Sequence, residues 1–249
     1  MLKKVVFILG LLASSVFAGS INIAVAANVS YAIDELITKF NESNPDTKVQ
    51  VTLGSSGKLT AQIKNGAPYQ VFLSANMKFP EALYKENIAI TKPVVYAQGS
   101  LAMLSDKKID FTQGIDVITQ DSIIKIAIAN PQTAPYGKAA LEAITKKGLL
   151  EQTQKKFVYA ESITQTVAYA LTAADIGFIA KSSLYSPKMK AYKHNEHWVE
   201  VDATLYTPID QGIVIIKNAS ENSEAKAFYD FMLSDKAKAI FRKFGYLVP

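Results

Sequence analysis

Residues 21–40 read INIAVAANVSYAIDELITKF, and the fold prediction starts from this stretch. Its first six residues, INIAVA, form a short run in which only Asn22 is polar and in which Ile21, Ile23 and Val25 are β-branched. Such a run favours a buried β-strand. Further on, Ile33, Leu36 and Phe40 are spaced by three and four residues, which is typical of one apolar face of a helix. A strand followed directly by an amphipathic helix is the repeating unit of α/β proteins.

The same alternation continues to the end of the chain. Further strands are predicted at residues 49–53, 71–75, 101–105, 125–129, 156–160, 175–180 and 212–216, and helices through residues 59–63 and 82–84, at 138–147 and 164–173, and in a long segment over 223–244. This rhythm predicts an α/β fold, with largely parallel sheets crossed over by helices.

Two stretches carry Gly or Pro beside predicted strands, at residues 96–100 and 207–212. Such punctuation suits a chain that crosses twice between two lobes. We therefore predict lobe one from residues 20–98 together with 208–249, and lobe two from residues 99–207. Two crossings make a hinge, and a cleft is expected between the lobes.

Residues 1–18 read MLKKVVFILGLLASSVFA, with two lysines, an apolar run and a small-residue end. This pattern predicts a cleavable signal peptide, with a cut before Gly19 and a mature protein in the periplasm. Beyond residue 18 no stretch approaches the roughly 18 to 20 apolar residues that a membrane span needs.

Composition excludes several kinds of chemistry. The 249 residues are 49% hydrophobic and include no cysteine, so disulfides, thiolate metal sites and cysteine nucleophiles are ruled out. Without the two signal lysines, 25 basic and 22 acidic residues remain, a net charge of about +3. That charge is too small and too scattered to indicate a nucleic-acid surface.

Four loops each follow a predicted strand and introduce a helix. They are Ala-Ala-Asn-Val-Ser at 26–30, Gly-Ser-Ser-Gly at 54–57, Ala-Pro-Tyr-Gly at 134–137 and Glu-Ser-Ile-Thr at 161–164. One such loop is usually an ordinary helix cap. Free N–H groups at a helix start can nevertheless bind an anion, and ligands of open α/β sheets bind beyond the carboxyl ends of the strands. We therefore expect two loops from each lobe to face one another across the cleft.

These loops carry almost no formal charge, since only Lys58, Lys138 and Glu161 come close. Neutral N–H and O–H donors can hold a fully ionised oxyanion, whereas a protonated one such as hydrogen phosphate finds no carboxylate to accept its proton. The loops thus predict a site for a tetrahedral dianion and disfavour phosphate.

At these residues the sequence resembles the periplasmic molybdate-binding proteins, the substrate-capturing subunits of molybdate ABC importers. The resemblance rests on residues 21–40, on LGSSGKLTAQIKNGAPYQVFLSAN at 53–76, on ANPQTAPYGKAALEAI at 129–144 and on AKAFYDFMLSDKAKAIFRKFGY at 225–246. It implies a two-lobed periplasmic binding protein fold of type II. In that fold each lobe is a mixed, mostly parallel sheet flanked by helices, and a two-stranded hinge joins the lobes. It also implies a monomer that binds molybdate or tungstate, uses no cofactor and docks transiently on an inner-membrane permease.

The resemblance further implies which residues contact the anion. The main contacts are Asn28, Ser56, Tyr136 and Ile163, and the secondary ones are Ser55, Val29, Gly137 and Ser162. All of them would contact oxyanion oxygens, so none is expected to ligate a metal directly.

Two positions depart from the commonest pattern of these relatives. Many have serine where Asn28 stands, and many have a ligand-binding tyrosine where this chain has Ala180. Asn28 together with Tyr136 is similar to another version, which pairs an asparagine of the first loop with a tyrosine of the Pro-x-Gly loop.

Other functions stay open at this point. A binding protein for another oxyanion such as sulfate fits the same loops. A secreted hydrolase on a hinged α/β fold is a further alternative, although no Gly-x-Ser-x-Gly elbow is present. His194 and His197 could contribute to a metal site, but such a pair in a loop is usually a solvated surface feature. We predict a binding protein rather than an enzyme.

Overall fold

The computed structural model describes residues 19–249, so the predicted signal peptide lies outside the described residues. The strands are β1 Ser20–Ala26, β2 Lys48–Gly54, β3 Val71–Leu73, β4 Val94–Gly99, β5 Leu101–Leu104, β6 Ile126–Ala129, β7 Phe157–Ala160, β8 Ile176–Ala180, β9 Trp198–Glu200 and β10 Ile209–Ile215. The helices are α1 Ile33–Asn41, α2 Ser56–Lys64, α3 Lys78–Lys85, α4 Pro135–Lys146, α5 Leu150–Thr153, α6 Ile163–Thr172, α7 Ser223–Met232 and α8 Asp235–Lys243.

The strands form two five-stranded sheets with matching topology. Sheet one has the order β2-β1-β3-β10-β4, and sheet two has the order β7-β6-β8-β5-β9. In sheet one only β10 runs against the other strands, and in sheet two only β5 does. This confirms two lobes, each built on a mixed, mostly parallel sheet flanked by helices.

The chain passes between the sheets twice. It leaves β4 and enters β5 through Ser100, and it returns to sheet one at the start of β10. Because β4 and β10 are neighbouring antiparallel strands, with Gly99 opposite Ile209, both crossings lie at the same end of one strand pair. This pair forms the two-stranded hinge. The lobe boundaries at residues 98/99 and 207/208 stay a prediction.

The apolar face predicted for the first helix is buried in lobe one. Ile33, Leu36 and Phe40 of α1 all lie in the core. The ring of Phe40 meets the ring of Phe228 on α7 edge to face, with 5.2 Å between the ring centroids. Such aromatic pairs add to the stabilisation that burial provides, so α1 and the C-terminal helices are held together.

The long helical segment predicted over residues 223–244 is divided into two helices. Helix α7 ends at Met232 and α8 begins at Asp235. The Ser234 side chain accepts a hydrogen bond from the Ala237 N–H group, which makes Ser234 the N-cap of a new helix. Within residues 19–249, no helix combines the length and apolar character that crossing a bilayer requires.

Phe40→Ala should lower the free energy of unfolding by about 3 to 5 kcal/mol, because it opens a cavity in a closely packed aromatic core. Urea denaturation followed by circular dichroism measures this loss. Ile124→Ala is the matched control, since Ile124 is 68% exposed, and it should change stability by less than about 0.5 kcal/mol. Equal losses in the two variants would contradict the described core.

Candidate functional site

All four predicted loops meet at one small cavity between the lobes. It is small, with a volume of about 10 Å³, about what one water molecule needs. Its lining residues are all uncharged: Ala26, Ala27, Asn28, Gly54, Ser55, Ser56, Ala75, Ala134, Pro135, Tyr136 and Ile163. This lining suits a small ligand that is held by neutral groups.

Two serines at the start of α2 supply hydroxyl groups to this cavity. Ser56 Oγ accepts a hydrogen bond from the Ala75 N–H group at 2.9 Å, so its own proton stays available for a ligand. Ser55 Oγ is buried and has no partner among the described residues. Ser56 is also the first residue of α2, where a backbone N–H group has no acceptor within the helix.

Lobe two contributes the starts of α4 and α6. Tyr136 follows Pro135 in the first turn of α4, and Ile163 is the first residue of α6, so their N–H groups lack acceptors within their helices. The Tyr136 hydroxyl accepts a hydrogen bond from Gln211 Nε2 at 3.2 Å. Gly99 makes room for this pair, because a Cβ atom there would collide with the Tyr136 hydroxyl.

Asn28 lines the cavity from a short 3-10 helix, Ala27–Tyr31. Its Nδ2 group donates to Gln211 Oε1 at 2.8 Å and to the Tyr246 hydroxyl at 3.0 Å. Its Oδ1 atom is buried and has no partner among the described residues. In this orientation the Asn28 amide hydrogens are already engaged, and only its Oδ1 acceptor is left without a partner among the described residues.

Three of the predicted secondary residues do not line the cavity. Val29 is buried in the core of lobe one. Gly137 packs against the Ala129 carbonyl, leaving no room for a side chain. Ser162 caps α6, because its Oγ atom accepts from the Gln165 N–H group at 3.3 Å. Of the predicted set, the cavity brings together Asn28, Ser55, Ser56, Tyr136 and Ile163.

Five small lining residues lie in the predicted loops without having been predicted as contacts: Ala26, Ala27, Gly54, Ala134 and Pro135. Sequence reasoning missed Ala75, which lines the cavity, and the residues behind it, Tyr96, Gln211 and Tyr246. The run of small residues at the strand ends was a signal for the first group. The local sequence held no signal for the second.

Direct contacts join the lobes around the cavity. The Gly57 N–H group donates to the Thr133 carbonyl at 2.9 Å, and the Thr164 hydroxyl donates to the Ala27 carbonyl at 3.0 Å. Lys58 of lobe one forms an ion pair with Glu161 of lobe two. These two charges next to the loops therefore compensate each other.

The tyrosines that line the cavity or lie behind it keep their protons at neutral pH. Burial raises the pKa of Tyr96, Tyr136 and Tyr246 above the ordinary tyrosine value, because the charged phenolate would be desolvated. Each hydroxyl can therefore act as a donor or an acceptor throughout the physiological range.

The two histidines lie away from this site. His197 Nδ1 accepts a hydrogen bond from the Lys193 N–H group at 3.2 Å, and the His194 ring packs on Trp198 with 4.5 Å between centroids. Across residues 19–249, no three His, Asp or Glu side chains come together in a way that could hold a metal ion.

Residues 21–247 match the family model of the bacterial extracellular solute-binding proteins. The chain belongs to this family. It is 35% identical to the molybdate-binding protein ModA of Azotobacter vinelandii over 239 residues, which cover 95% of this chain and 93% of that protein. It is also 35% identical to the molybdate-binding protein ModA of Rhodobacter capsulatus, with coverages of 92% and 89%.

A solved structure of the periplasmic molybdate-binding protein of Azotobacter vinelandii superposes with a TM-score of 0.84. It is 35% identical, and the match covers 92% of this chain and 99% of that one. The predicted resemblance and the two-lobed fold are therefore confirmed. The relatives are binding proteins rather than enzymes, and molybdate, which their names give, is a ligand for them and not a cofactor.

Stability should fall above pH 10, because tyrosines of the unfolded chain ionise near that pH while Tyr96, Tyr136 and Tyr246 stay protonated in the folded state. The contribution is complete below pH 10 and is lost as the pH rises, by about 1.4 kcal/mol per pH unit for each tyrosine. Urea denaturation at pH 8, 10 and 11 in wild type and Tyr246→Phe measures it. Tyr246→Phe should flatten the decline, and the same substitution at the exposed Tyr159 should not. An identical decline in all three proteins would contradict the burial argument.

Proposed function

We propose that this protein captures molybdate, and also tungstate, in the cavity between its lobes and delivers it to an ABC permease in the inner membrane. The observation that carries the proposal is the convergence of four helix-starting loops on one small, uncharged cavity. The family and the names of its relatives support a periplasmic role. We further propose that the protein works as a monomer.

The donors at the cavity are sufficient for a dianion. Hydroxyls of Ser55 and Ser56 and first-turn N–H groups of α2, α4 and α6 are available to it. A hydrogen bond to a charged group contributes about 1.5 to 3 kcal/mol, so five donors give a gross stabilisation on the order of 7 to 15 kcal/mol before ordering costs. No cationic side chain is needed.

The same donors favour some anions over others. Molybdate and tungstate are fully ionised at neutral pH and accept hydrogen bonds at every oxygen, whereas hydrogen phosphate must also donate one. Sulfate is fully ionised too, so only its size can distinguish it from molybdate. Its S–O bonds are shorter, which makes it the smaller anion. Donors that are held in place by helix starts and by contacts between the lobes form good hydrogen bonds only with an anion of matching size.

The contacts between the lobes suit capture by closure. The Gly57 to Thr133 hydrogen bond and the Lys58 to Glu161 ion pair both join the lobes next to the cavity. Opening at the β4 and β10 hinge would break these contacts and admit the anion, and closing would remake them around it. A permease that recognises the closed form would then receive only loaded protein.

Calorimetric titration of the mature protein tests the ligand. We expect molybdate and tungstate to bind tightly and phosphate to give no heat of binding, with sulfate at least about a hundredfold weaker, equivalent to about 2.7 kcal/mol. Sulfate binding as tight as molybdate would indicate a different oxyanion transporter on the same fold. The absence of binding by all four anions would refute the proposal.

Ser56→Ala should weaken molybdate binding by about 1 to 3 kcal/mol, because it removes one hydrogen-bond donor to a charged ligand. It also leaves the Ala75 N–H group without its acceptor, so a modest loss of stability is expected. Titration well below the melting temperature separates the two effects. Ser183→Ala is the matched control, because Ser183 is a buried serine that donates to the Ala180 carbonyl instead. An unchanged affinity in Ser56→Ala would remove this hydroxyl from the site.

A further inference from the structure

Gln211 is a fully buried amide that lies behind the cavity without lining it. It sits on hinge strand β10 at a register irregularity. Gln211 is opposite Ala97 while Gly212 is opposite Val95, so Tyr96 has no partner across the two strands. Bulges of this kind re-aim side chains next to functional sites. Here the Tyr96 hydroxyl donates to Gln211 Oε1 at 2.9 Å.

Gln211 connects two residues of the proposed anion site, one from each lobe. Its Oε1 atom accepts from Asn28 Nδ2 at 2.8 Å, and its Nε2 group donates to the Tyr136 hydroxyl at 3.2 Å. All three side chains are buried. The orientation of one amide therefore determines which hydrogens of Asn28 and Tyr136 are free to face a ligand.

The orientation seen in the structure suits a fully ionised anion poorly. Both hydrogens of Asn28 Nδ2 are engaged, by Gln211 and by Tyr246, while Oδ1 has no partner among the described residues. An unpaired buried acceptor is costly, and a dianion has no proton with which to satisfy it.

Rotating the side-chain amides of Gln211 and Asn28 by 180° would leave neither of the two amide oxygens without a donor. Gln211 Nε2 would then donate to Asn28 Oδ1 and to the Tyr96 hydroxyl, and Gln211 Oε1 would accept from the Tyr136 hydroxyl. Asn28 Nδ2 would take the place of Oδ1 and donate to the anion. The Tyr96 hydroxyl can donate in turn to the Ser74 carbonyl, which is 3.4 Å away.

The remaining groups near Asn28 also keep partners in the turned arrangement. The Tyr246 hydroxyl, 3.0 Å from Nδ2 and 2.8 Å from the Asn28 carbonyl, can donate to Oδ1 once the amide has turned. The Asn28 carbonyl still accepts from the Ser182 hydroxyl at 3.1 Å. Every polar group then has a partner, with the anion as acceptor for Asn28.

We propose that Gln211 is a positioning residue of the anion site, whose amide turns over together with that of Asn28 when a fully ionised oxyanion binds. This inference rests on the proposed function. One orientation presents an acceptor, which a fully ionised anion cannot use. The other presents an N–H donor to that anion.

Nuclear magnetic resonance of the isotope-labelled wild-type protein, recorded without molybdate and then at saturation, tests the turn directly. Without molybdate the Gln211 amide hydrogens should show stronger cross-peaks to the Tyr136 ring, and with molybdate they should show stronger cross-peaks to the Tyr96 ring. The reverse order, in a sample whose calorimetry shows bound molybdate, overturns the inference and leaves the proposed function intact. A sample that binds no molybdate refutes the proposed function and the inference with it.

Gln211→Met tests the positioning role, with Gln98→Met as the matched control. Gln98 lies on the other hinge strand and donates to Asp210 at 2.7 Å, away from Asn28 and Tyr136. Gln211→Met should raise the Kd for molybdate about tenfold or more, and Gln98→Met should change it less than about twofold.

If Gln211 acts through Asn28, then Asn28→Ala should add little in the Gln211→Met background. A wild-type affinity in Gln211→Met, or a full additional loss from Asn28→Ala in that background, would contradict the role. If Gln211→Met does not fold, the resonance experiment on wild type decides.

Discussion

An anion held in this cavity has to be stabilised by hydrogen bonds alone, because all of its lining residues are uncharged. Hydrogen bonds hold an anion tightly only if many donors point to one place and no buried donor lacks an acceptor. Parallel strands meet this requirement, since their carboxyl ends lie at one edge of each sheet and each is followed by a helix start. Two such edges face each other across the cavity. The hinge and the contacts between the lobes serve to bring these edges together.

The polar network behind the cavity explains how two lobes can act as one site. Gln211 on β10 contacts Asn28 in lobe one and Tyr136 in lobe two, and Tyr96 and Tyr246 complete its surroundings. Buried hydrogen-bond networks are rigid when every member has a partner and costly when one does not. In the proposed mechanism, ligand binding and closure of the lobes are linked through the same small set of hydrogen bonds.

Much of the fold could be predicted because its signals are local. The apolar run at residues 21–26 and the spacing of Ile33, Leu36 and Phe40 reflect burial on one strand and one helix face, and both elements form within about one residue of the predicted place. The sequence predicts β4 only as a hinge crossing, because Gln98 and Gly99 interrupt its apolar pattern. It does not signal the break at Ser234, because one capping serine leaves the helical spacing of apolar residues on both sides intact.

The candidate site was predictable only in part. The loops that bear Asn28, Ser56, Tyr136 and Ile163 are marked by capping and small residues, and all four line the cavity. Whether these four contact the anion stays a prediction. The role of Gln211 could not be read from the chain, because it depends on a contact with Asn28 across 183 residues and on the irregular register beside Tyr96.

Anomalous diffraction at the molybdenum absorption edge, from crystals grown with molybdate, tests the central claim most directly. The account predicts a single strong peak in the cavity between the lobes. Tetrahedral oxygens around that peak should lie within hydrogen-bond distance of the Ser56 hydroxyl and of the N–H groups of Tyr136 and Ile163. A peak outside the cavity, or one coordinated directly by a protein side chain, would contradict the account.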